Sequence, residues 1–187
     1  IELDIQYSAY NEPVIYHDPV MQRVSGIASR IEDLTVEELR QMPAYEPVRL
    51  GERFAKNTVN ALQDLLDILP KFPDVCVFVE VKRSSIRRLG AQFILDDLQH
   101  RLKPVASQCI VISFDQFFIE SAAARAFCRT GLVIEAIAQL TTESLQALPP
   151  DFIFVDINLM NDSTLPSLPY DVIKGIYEVS DIETAKK

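Results

Sequence analysis

The sequence is poor in glycine, and this scarcity excludes two common kinds of phosphate-binding site. Only five of its 187 residues are glycine, and no glycine-rich loop follows any β-rich segment. P-loop and dinucleotide-binding fingerprints both need closely spaced glycines, which let the backbone approach a phosphate. We therefore expect neither a P-loop nor a dinucleotide cofactor.

The sequence also has no excess of basic side chains and no long apolar run. Its 18 basic and 27 acidic residues give a formal net charge of −9. Because nucleic-acid binding needs a clustered basic face, we expect no nucleic-acid partner, although a local cationic pocket for one phosphate remains compatible with this charge. No apolar run approaches the ~20 residues that span a bilayer, and no signal peptide is evident. We expect no membrane span and a cytoplasmic location, and nothing in the sequence fixes an oligomeric state.

Cysteines are few and widely spaced, at Cys76, Cys109 and Cys128. Two of them lie inside apolar runs. This pattern predicts buried, reduced thiols in preference to one disulfide with a leftover thiol.

Short β-rich runs alternate with helical patterns along the chain, and this order predicts a parallel sheet covered by helices. Polar residues recur near the ends of the strands, which favours a TIM (β/α)8 barrel, where the strand ends form one rim, over an open sheet. The predicted strands are Ile1–Gln6, Pro13–His17, Cys76–Val81, Cys109–Phe114, Leu132–Ile137, Phe152–Asp156 and Gly175–Val179. The predicted helices are one that Thr35 caps, Val59–Leu69, Ser84–Leu102, Asp115–Phe127, Thr142–Leu148 and one from Asp181 onward.

The first two strands are joined by a connection that is too short for a parallel crossover. Only a few residues separate Gln6 from Pro13, whereas a parallel crossover needs a dozen or more. The segment therefore predicts an antiparallel hairpin. Such a hairpin returns His17 to the neighbourhood of Glu2 and Asp4.

Acidic residues recur at strand spacing. Glu2 and Asp4 lie two apart and point to one face of a strand, and Glu80 and Lys82 repeat this geometry. Carboxylates that face an apolar interior need a counter-charge, and oxygen-only ligands select Mg²⁺ or Ca²⁺. The alternative is a structural ion pair between Glu80 and Lys82, with Glu2 at a frayed end.

The two histidines differ in their surroundings. His17 ends an apolar strand, where an imidazole can transfer protons near neutral pH, although a purely structural role is also open. His100 lies on the polar side of a predicted helix, and we expect it to be solvated surface.

Taken in order, these segments resemble the glycerophosphodiester phosphodiesterase family. The family's E-x-D strand, turn and "P-V-hydrophobic-hydrophobic-H-D-P" run match residues 1–19 without an insertion, and Arg23 follows six residues after His17. The other matching segments are the helix start Asp33–Leu39, the E-hydrophobic-K strand Phe78–Lys82, the "S-F-D" strand Ile112–Asp115 and the late strand Ile176–Asp181.

The resemblance implies metal-dependent hydrolysis of a small glycerophosphodiester to glycerol 3-phosphate and an alcohol. Glu2, Asp4 and Glu80 would then bind Mg²⁺ or Ca²⁺. His17 would be a catalytic histidine, and Lys82 would contact the phosphate. The predicted substrate-binding residues are Arg23, Ser113, Phe114 and Asn158.

Departures from the family pattern define the remaining expectations. The H-R-G strand, which supplies the family's second catalytic histidine, and the final strand near T-D are absent. We therefore expect residues 1–187 to be a single (β/α) barrel domain, trimmed at both ends, that lacks the first and last strands. The hairpin would elaborate the second barrel strand.

Two other functions remain open from the sequence. One is a catalytically incomplete barrel that binds phosphoesters or a protein partner. The other is a lysophospholipase D that acts on lipid substrates, which predicts an apolar patch at the barrel mouth, with Tyr16, Phe114 and Phe117 as candidates.

Overall fold

The computed structural model describes residues 1–141, 143–160, 168 and 171–182. The chain divides into two compact units, one from Ile1 to Cys109 and one that begins at Ile110. Strands alternate with helices in both units, which confirms the predicted α/β class.

The first unit contains a sheet with the strand order β3-β2-β1-β4. Strands β1 and β4 are parallel, whereas β2 is antiparallel to both of its neighbours, β1 and β3. The elements are β1 Glu2–Tyr7, β2 Pro13–Ile15, α1 Gln22–Ser25, α2 Val36–Leu39, α3 Pro47–Leu50, β3 Asn60–Ala61, α4 Leu62–Ile68, β4 Val77–Val81, α5 Arg83–Leu89 and α6 Ala91–Leu102, with 3₁₀ turns at Ile31–Asp33, Gly51–Phe54, Leu69–Lys71 and Lys103–Gln108.

Strand β1 has two chemically different faces. Leu3, Ile5 and Tyr7 are buried, with at most 9% of their surface exposed, and they form the apolar face. The alternate residues Glu2 and Asp4 project to the other face, because successive strand side chains point in opposite directions. The chain thereby buries one face of the strand and displays acidic groups on the other.

The predicted antiparallel hairpin is confirmed. Ile5 lies opposite Ile15, and the connecting turn is closed by the Ser8 amide, which donates to the Glu12 carbonyl at 2.9 Å. Strand β2 is shorter than predicted because regular pairing stops at Ile15. The Tyr16 amide still donates to the Asp4 carbonyl at 2.9 Å, and this bond carries the following residue back over the start of β1.

The segment between β2 and β3 packs as a small apolar cluster on the hairpin. Its short helix α2 is capped by Thr35, as predicted, and the cap is a capping box. The Glu38 amide donates to Thr35 Oγ1 at 3.2 Å, and the Thr35 amide donates to Glu38 Oε2 at 2.8 Å. The buried members of the cluster are Val14, Tyr16, Met21, Ile31, Val36, Leu39, Val59 and Ala61.

The prediction of one helix over Ser84–Leu102 was wrong. Gly90 interrupts it with φ 82° and ψ 148°, so that α5 ends at Leu89 and α6 begins at Ala91. That backbone conformation is almost restricted to glycine. The apolar spacing continues across Gly90, which is why the pattern alone predicted a single helix.

The predicted helix Val59–Leu69 is also shorter in the structure. Its first residues pair with β2 as the short strand β3, and the helix α4 covers Leu62–Ile68. Pairing with the hairpin overrides the local helical spacing at Asn60 and Ala61.

The second unit contains four strands in the order β5-β6-β7-β8, and the pairs β5–β6, β6–β7 and β7–β8 are parallel. Helices or 3₁₀ turns connect the strands. The elements are β5 Cys109–Ser113, α7 Gln116–Arg125, β6 Arg129–Ile134, α8 Glu143–Ala147, β7 Phe152–Asp156 and β8 Ile173–Tyr177, with 3₁₀ turns at Ile137–Thr141 and Ile157–Leu159.

Two strands of this unit begin and end earlier than predicted, and each contains a glycine near its middle. The predicted strand Leu132–Ile137 is β6, Arg129–Ile134, and Gly175–Val179 is β8, Ile173–Tyr177. A Cβ on Gly131 would lie 2.9 Å from Ile112 Cγ2, and one on Gly175 would lie 2.6 Å from the Phe154 ring. Both glycines are therefore strand residues that admit a close neighbour.

Two predicted helices reach residues outside the described part of the chain. The helix predicted at Thr142–Leu148 begins at such a residue, and the described helix α8 covers Glu143–Ala147. The helix predicted from Asp181 onward falls mostly on residues 183–187, which also lie outside it. In the described residues, no helix combines the length and the apolar character that crossing a membrane requires.

The three cysteines form no disulfide, as predicted, and all three lie in the described part of the chain. Their burial was predicted correctly only in part. Cys109 is buried, and its burial raises the pKa of the thiol to about 11. Cys76 is exposed, because it precedes the buried part of β4.

We expect Gly90→Ala to destabilise the protein more than Gly26→Ala. A Cβ would meet no atom within 4 Å at either position, so only backbone conformation distinguishes them. Gly26 has φ 71° and ψ 11°, a left-handed helical conformation that costs a non-glycine residue about 1 kcal/mol. The conformation of Gly90 is rarer and should cost about 2 kcal/mol. Urea denaturation measures both free energies of unfolding, and an equal or smaller loss for Gly90→Ala would contradict this account of the break.

Candidate active site

Two neighbouring parallel strands bring three carboxylates to one face of the sheet. In the register of β1 and β4, Asp4 is paired with Glu80. Glu2 lies two residues before Asp4 on β1, so its side chain projects from the same face. Each of the three side chains has a carboxylate oxygen that lies within 4.8 Å of an oxygen of the other two. The predicted convergence of Glu2, Asp4 and Glu80 is therefore present in the structure.

Lys82 bridges two carboxylates of this acidic group. Its Nζ is 2.5 Å from Asp4 Oδ1 and 2.6 Å from Glu80 Oε1. The ion pair with Glu80 that the sequence left open thus exists, but it includes Asp4 as well. One ammonium group faces three carboxylates, and an excess of negative charge remains.

Burial and repulsion both act on the acids of this group. Burial, followed by repulsion from Asp4 and Glu80, raises the pKa of Glu2 from 4.5 to about 7. Burial also raises the pKa of Glu80, against the opposing effect of Lys82. Burial alone would lower the pKa of Lys82, but its hydrogen bonds with Asp4 and Glu80 raise it. Keeping these carboxylates ionised therefore costs free energy, and a further cation at the site would lower that cost.

The donor set fits a divalent cation. All three candidate ligands are carboxylate oxygens, which hard cations such as Mg²⁺ and Ca²⁺ prefer over softer ligands. Glu80 is only 7% exposed, so its charge has little water to stabilise it. Glu2 is only partly buried and keeps part of its surface open to water, which leaves the cluster accessible on one side.

His17 follows the hairpin strand, and its ring is accessible. The side chain is 58% exposed, and Nδ1 lies 2.5 Å from Asp18 Oδ1. A positive charge on this ring lowers the pKa values of Glu2 and Glu80, which places the imidazole within the field of the acidic cluster. The hydrogen bond to Asp18 uses Nδ1 and leaves Nε2 as the nitrogen that can exchange a proton with a substrate.

Arg23, predicted to bind substrate, contacts two carboxylates in this structure. Nε and one terminal nitrogen donate to Asp18 at 2.7 and 2.9 Å, and the other terminal nitrogen donates to Glu46 at 2.8 Å. Contact with Arg23 lowers the pKa of Asp18. A substrate-binding role for Arg23 stays a prediction.

Gln6 is a member of the site that the sequence analysis did not single out. It is 3% exposed, donates from Nε2 to the His17 carbonyl at 2.9 Å, and accepts hydrogen bonds from Ser84 and Ser85 hydroxyls at 2.9 and 3.0 Å. It continues the spacing of Glu2 and Asp4 along the same face of β1. That spacing could have identified it.

The other predicted site residues belong to the second unit. Ser113 is buried at the end of β5, and its Oγ accepts a hydrogen bond from the Asp115 amide at 3.1 Å. Asn158 donates from its side chain to Asp156 Oδ1 at 2.7 Å. Phe114 directly follows β5 and is partly buried. Substrate binding by these three residues stays a prediction.

One aromatic candidate for an apolar mouth is excluded. Tyr16 is only 4% exposed, and its hydroxyl lies 2.7 Å from Ser25 Oγ inside the cluster on the hairpin. Phe117, by contrast, is 71% exposed.

Comparison with known proteins assigns the chain to a family. Residues 1–147 match the profile of the glycerophosphoryl diester phosphodiesterase family, and this range includes every residue of the acidic cluster as well as His17. The chain belongs to this family.

Curated relatives in the family align with about half of the chain. A glycerophosphodiester phosphodiesterase from Caldanaerobacter subterraneus is 28% identical over 92 residues, which are 49% of this chain and 37% of the relative. Glycerophosphodiester phosphodiesterase 1 from Rattus norvegicus is 26% identical over 98 residues, 50% of this chain and 30% of the relative. The match thus spans only about a third of these relatives.

Solved structures of family members share the fold. A phosphodiesterase from Oleispira antarctica, in complex with the product sn-glycerol-3-phosphate, superposes with a TM-score of 0.74 at 16% identity over 99% of this chain and 74% of the other. A glycerophosphodiester phosphodiesterase from Thermotoga maritima gives a TM-score of 0.66 at 16% identity over 99% and 75%. The fold is therefore that of the family's TIM barrels, as predicted. The single trimmed domain and the two missing strands stay predictions.

In metal-free buffer, we expect the acidic cluster to make the protein less stable as pH rises. The folded state keeps the Glu2 proton up to a pKa of about 7, whereas the unfolded state releases it near 4.5. Between these values the folded state binds more protons, so the free energy of unfolding falls with rising pH. Glu2→Gln removes this contribution. Urea denaturation from about pH 5 to 8 should show wild type losing stability relative to Glu2→Gln, and a flat or rising difference would contradict the raised pKa of Glu2.

Proposed function

We propose that this protein is a metal-dependent phosphodiester hydrolase. In this proposal it cleaves glycerophosphodiesters to glycerol 3-phosphate and an alcohol. The observation that carries the proposal is the convergence of Glu2, Asp4 and Glu80 beside His17, inside the range that matches the family. The product named in the Oleispira complex supports the same substrate class.

Glu2, Asp4 and Glu80 would hold the cation, which is Mg²⁺ or Ca²⁺ in this proposal. The oxygen-only donor set, the excess negative charge and the raised pKa of Glu2 support this assignment. A bound divalent cation would supply charge neutralisation at a phosphate oxygen and help to orient the nucleophile. The family's enzymes are generally dependent on divalent metals, which agrees with this donor set.

Lys82 would stabilise the negative charge that develops on the phosphate during cleavage. Its ammonium already lies beside Asp4 and Glu80, at 2.5 and 2.6 Å, so the positive charge is at the site before substrate arrives. A charge fixed in advance stabilises a transition state more effectively than one that must first reorganise. Lys82 also limits the repulsion among the acids.

His17 would transfer a proton at Nε2 to or from an oxygen of the phosphodiester. Its accessible ring and its Nδ1 contact with Asp18 support this role. The proton transfer on the opposite side of the phosphorus needs a second group. The family resemblance assigns that group to the H-R-G histidine, so tests of activity require the full-length protein.

We expect His17→Ala to lower turnover at least about 100-fold in the full-length protein, because general acid–base groups contribute factors of this size. The measurement is release of glycerol 3-phosphate from glycerophosphocholine in the presence of Mg²⁺ or Ca²⁺. His100→Ala is the matched control, since this exposed histidine lies on α6 and should leave turnover unchanged. Full activity in His17→Ala would exclude its role. Substrate binding without any turnover in wild type would favour the catalytically incomplete barrel.

We expect Glu80→Gln to raise the metal concentration needed for half-maximal activity at least about tenfold, because one of three charged ligands becomes neutral. Titration of the full-length enzyme with Mg²⁺ and with Ca²⁺ measures this concentration. Glu12→Gln, an exposed change in the hairpin turn outside the acidic cluster, is the control. An unchanged metal requirement in Glu80→Gln would exclude this residue as a ligand.

A further inference from the structure

A chain of charged contacts leads from His17 to a carboxylate on the far side of Arg23. Asp18 accepts from the imidazole through Oδ1 and from Arg23 through both of its oxygens, at 2.7 and 2.9 Å. Arg23 continues the chain by donating to Glu46 Oε1 at 2.8 Å. These four side chains are linked in the order Glu46, Arg23, Asp18, His17.

Glu46 is held in place more firmly than its position in a connecting segment would require. Its side chain is 17% exposed, and its Oε2 accepts from the Arg49 guanidinium at 2.6 and 2.7 Å. Its amide donates to the Val24 carbonyl at 2.8 Å. The carboxylate is thus fixed by a backbone bond and by two arginines.

The backbone of Glu46 is also strained. It adopts φ 53° and ψ 64°, in the left-handed region, and it directly precedes Pro47. A residue before proline favours an extended backbone, and a left-handed non-glycine residue costs roughly 1–3 kcal/mol. Such a conformation persists only where the surrounding contacts determine it, and here those contacts are the ones that aim the carboxylate at Arg23.

Arg23 needs Glu46 as a second partner if it is to hold Asp18 in one orientation. Its side chain is 49% exposed, and a long side chain with that exposure has many rotamers available. With both ends of the guanidinium bound, Asp18 is held in one orientation. An ionised Asp18 can only accept, so it requires the proton of the imidazole to reside on Nδ1.

We propose that Glu46 is a positioning residue for His17, acting through Arg23 and Asp18 to keep the imidazole proton on Nδ1 and Nε2 directed to proton transfer. The effect of Glu46 on turnover rests on the proposed function. The effect of Glu46 on the tautomer of His17 does not depend on any activity. The two effects can therefore be tested separately.

The structural arm of the test observes the protonation of the His17 ring directly. Long-range ¹H–¹⁵N correlation spectra of the full-length protein, recorded where the His17 ring shows the two unlike ¹⁵N signals of a neutral imidazole, report which ring nitrogen carries the proton. Wild type should show His17 protonated at Nδ1. Glu46→Ala should shift the His17 ring toward the Nε2-protonated tautomer, while the His100 ring stays unchanged. Arg40→Ala, which breaks the exposed ion pair with Asp64 outside this chain of contacts, should leave His17 as in wild type. The same His17 tautomer in Glu46→Ala and wild type would overturn the proposal.

The kinetic arm distinguishes positioning from a general structural role. Glu46→Ala should lower kcat about tenfold with KM changed less than about twofold, as is typical when the partner of a functional side chain is lost. The double variant with Asp18→Asn and Glu46→Ala should have the same kcat as Asp18→Asn alone, because both changes break one chain of contacts. The inference would be contradicted if the two decreases in kcat multiply in the double variant, or if Glu46→Ala raises KM and leaves kcat unchanged. If Glu46→Ala lowers the thermal midpoint, Glu46→Gln keeps the side-chain shape and replaces it in both arms.

Failure of the two arms has different meanings. If wild type shows no turnover, the proposed hydrolysis fails, and the spectra still decide whether Glu46 controls the imidazole. If turnover is normal and the tautomer does not respond to Glu46→Ala, the hydrolysis stands and the positioning role is excluded.

Discussion

Repulsion among three carboxylates on two adjacent strands is the constraint on which the rest of this site depends. The parallel register places Asp4 beside Glu80, and the two-residue repeat of β1 adds Glu2 to the same face. One ammonium, that of Lys82, offsets this charge only in part. Burial first, and then repulsion from Asp4 and Glu80, raises the pKa of Glu2 to about 7. A divalent cation is the simplest species that balances the remaining charge.

The hairpin places His17, the proposed proton-transfer group, near this charge. Its short turn forces β2 back along β1, and the bond from the Tyr16 amide to the Asp4 carbonyl brings His17 to the start of that strand. Gln6 then ties the His17 carbonyl to the helix that follows β4, through the hydroxyls of Ser84 and Ser85. The backbone of the histidine is thus fixed from β1, and its ring is fixed from Asp18.

Features set by local spacing could be predicted from the sequence, whereas features set by distant packing could not. The acidic face of β1 follows from a repeat of two, and the hairpin follows from the length of one turn. The helix break at Gly90 was missed because the apolar pattern continues across it. The start of β6 was placed too late because the close approach of Ile112 and Phe152 to Gly131 depends on neighbouring strands. The contact of Glu46 with Arg23 joins residues 23 positions apart through a left-handed turn, and no short pattern encodes such a path.

The central claim is that the three carboxylates share one divalent ion. Crystals of the protein soaked in Mn²⁺, which takes oxygen ligands like Mg²⁺, would locate the ion by its anomalous scattering. The account predicts a single peak bonded to oxygens of Glu2, Asp4 and Glu80, with the ammonium of Lys82 withdrawn from at least one of its two carboxylates. A peak elsewhere, or a Lys82 that still bridges Asp4 and Glu80 with no ion between the acids, would contradict it.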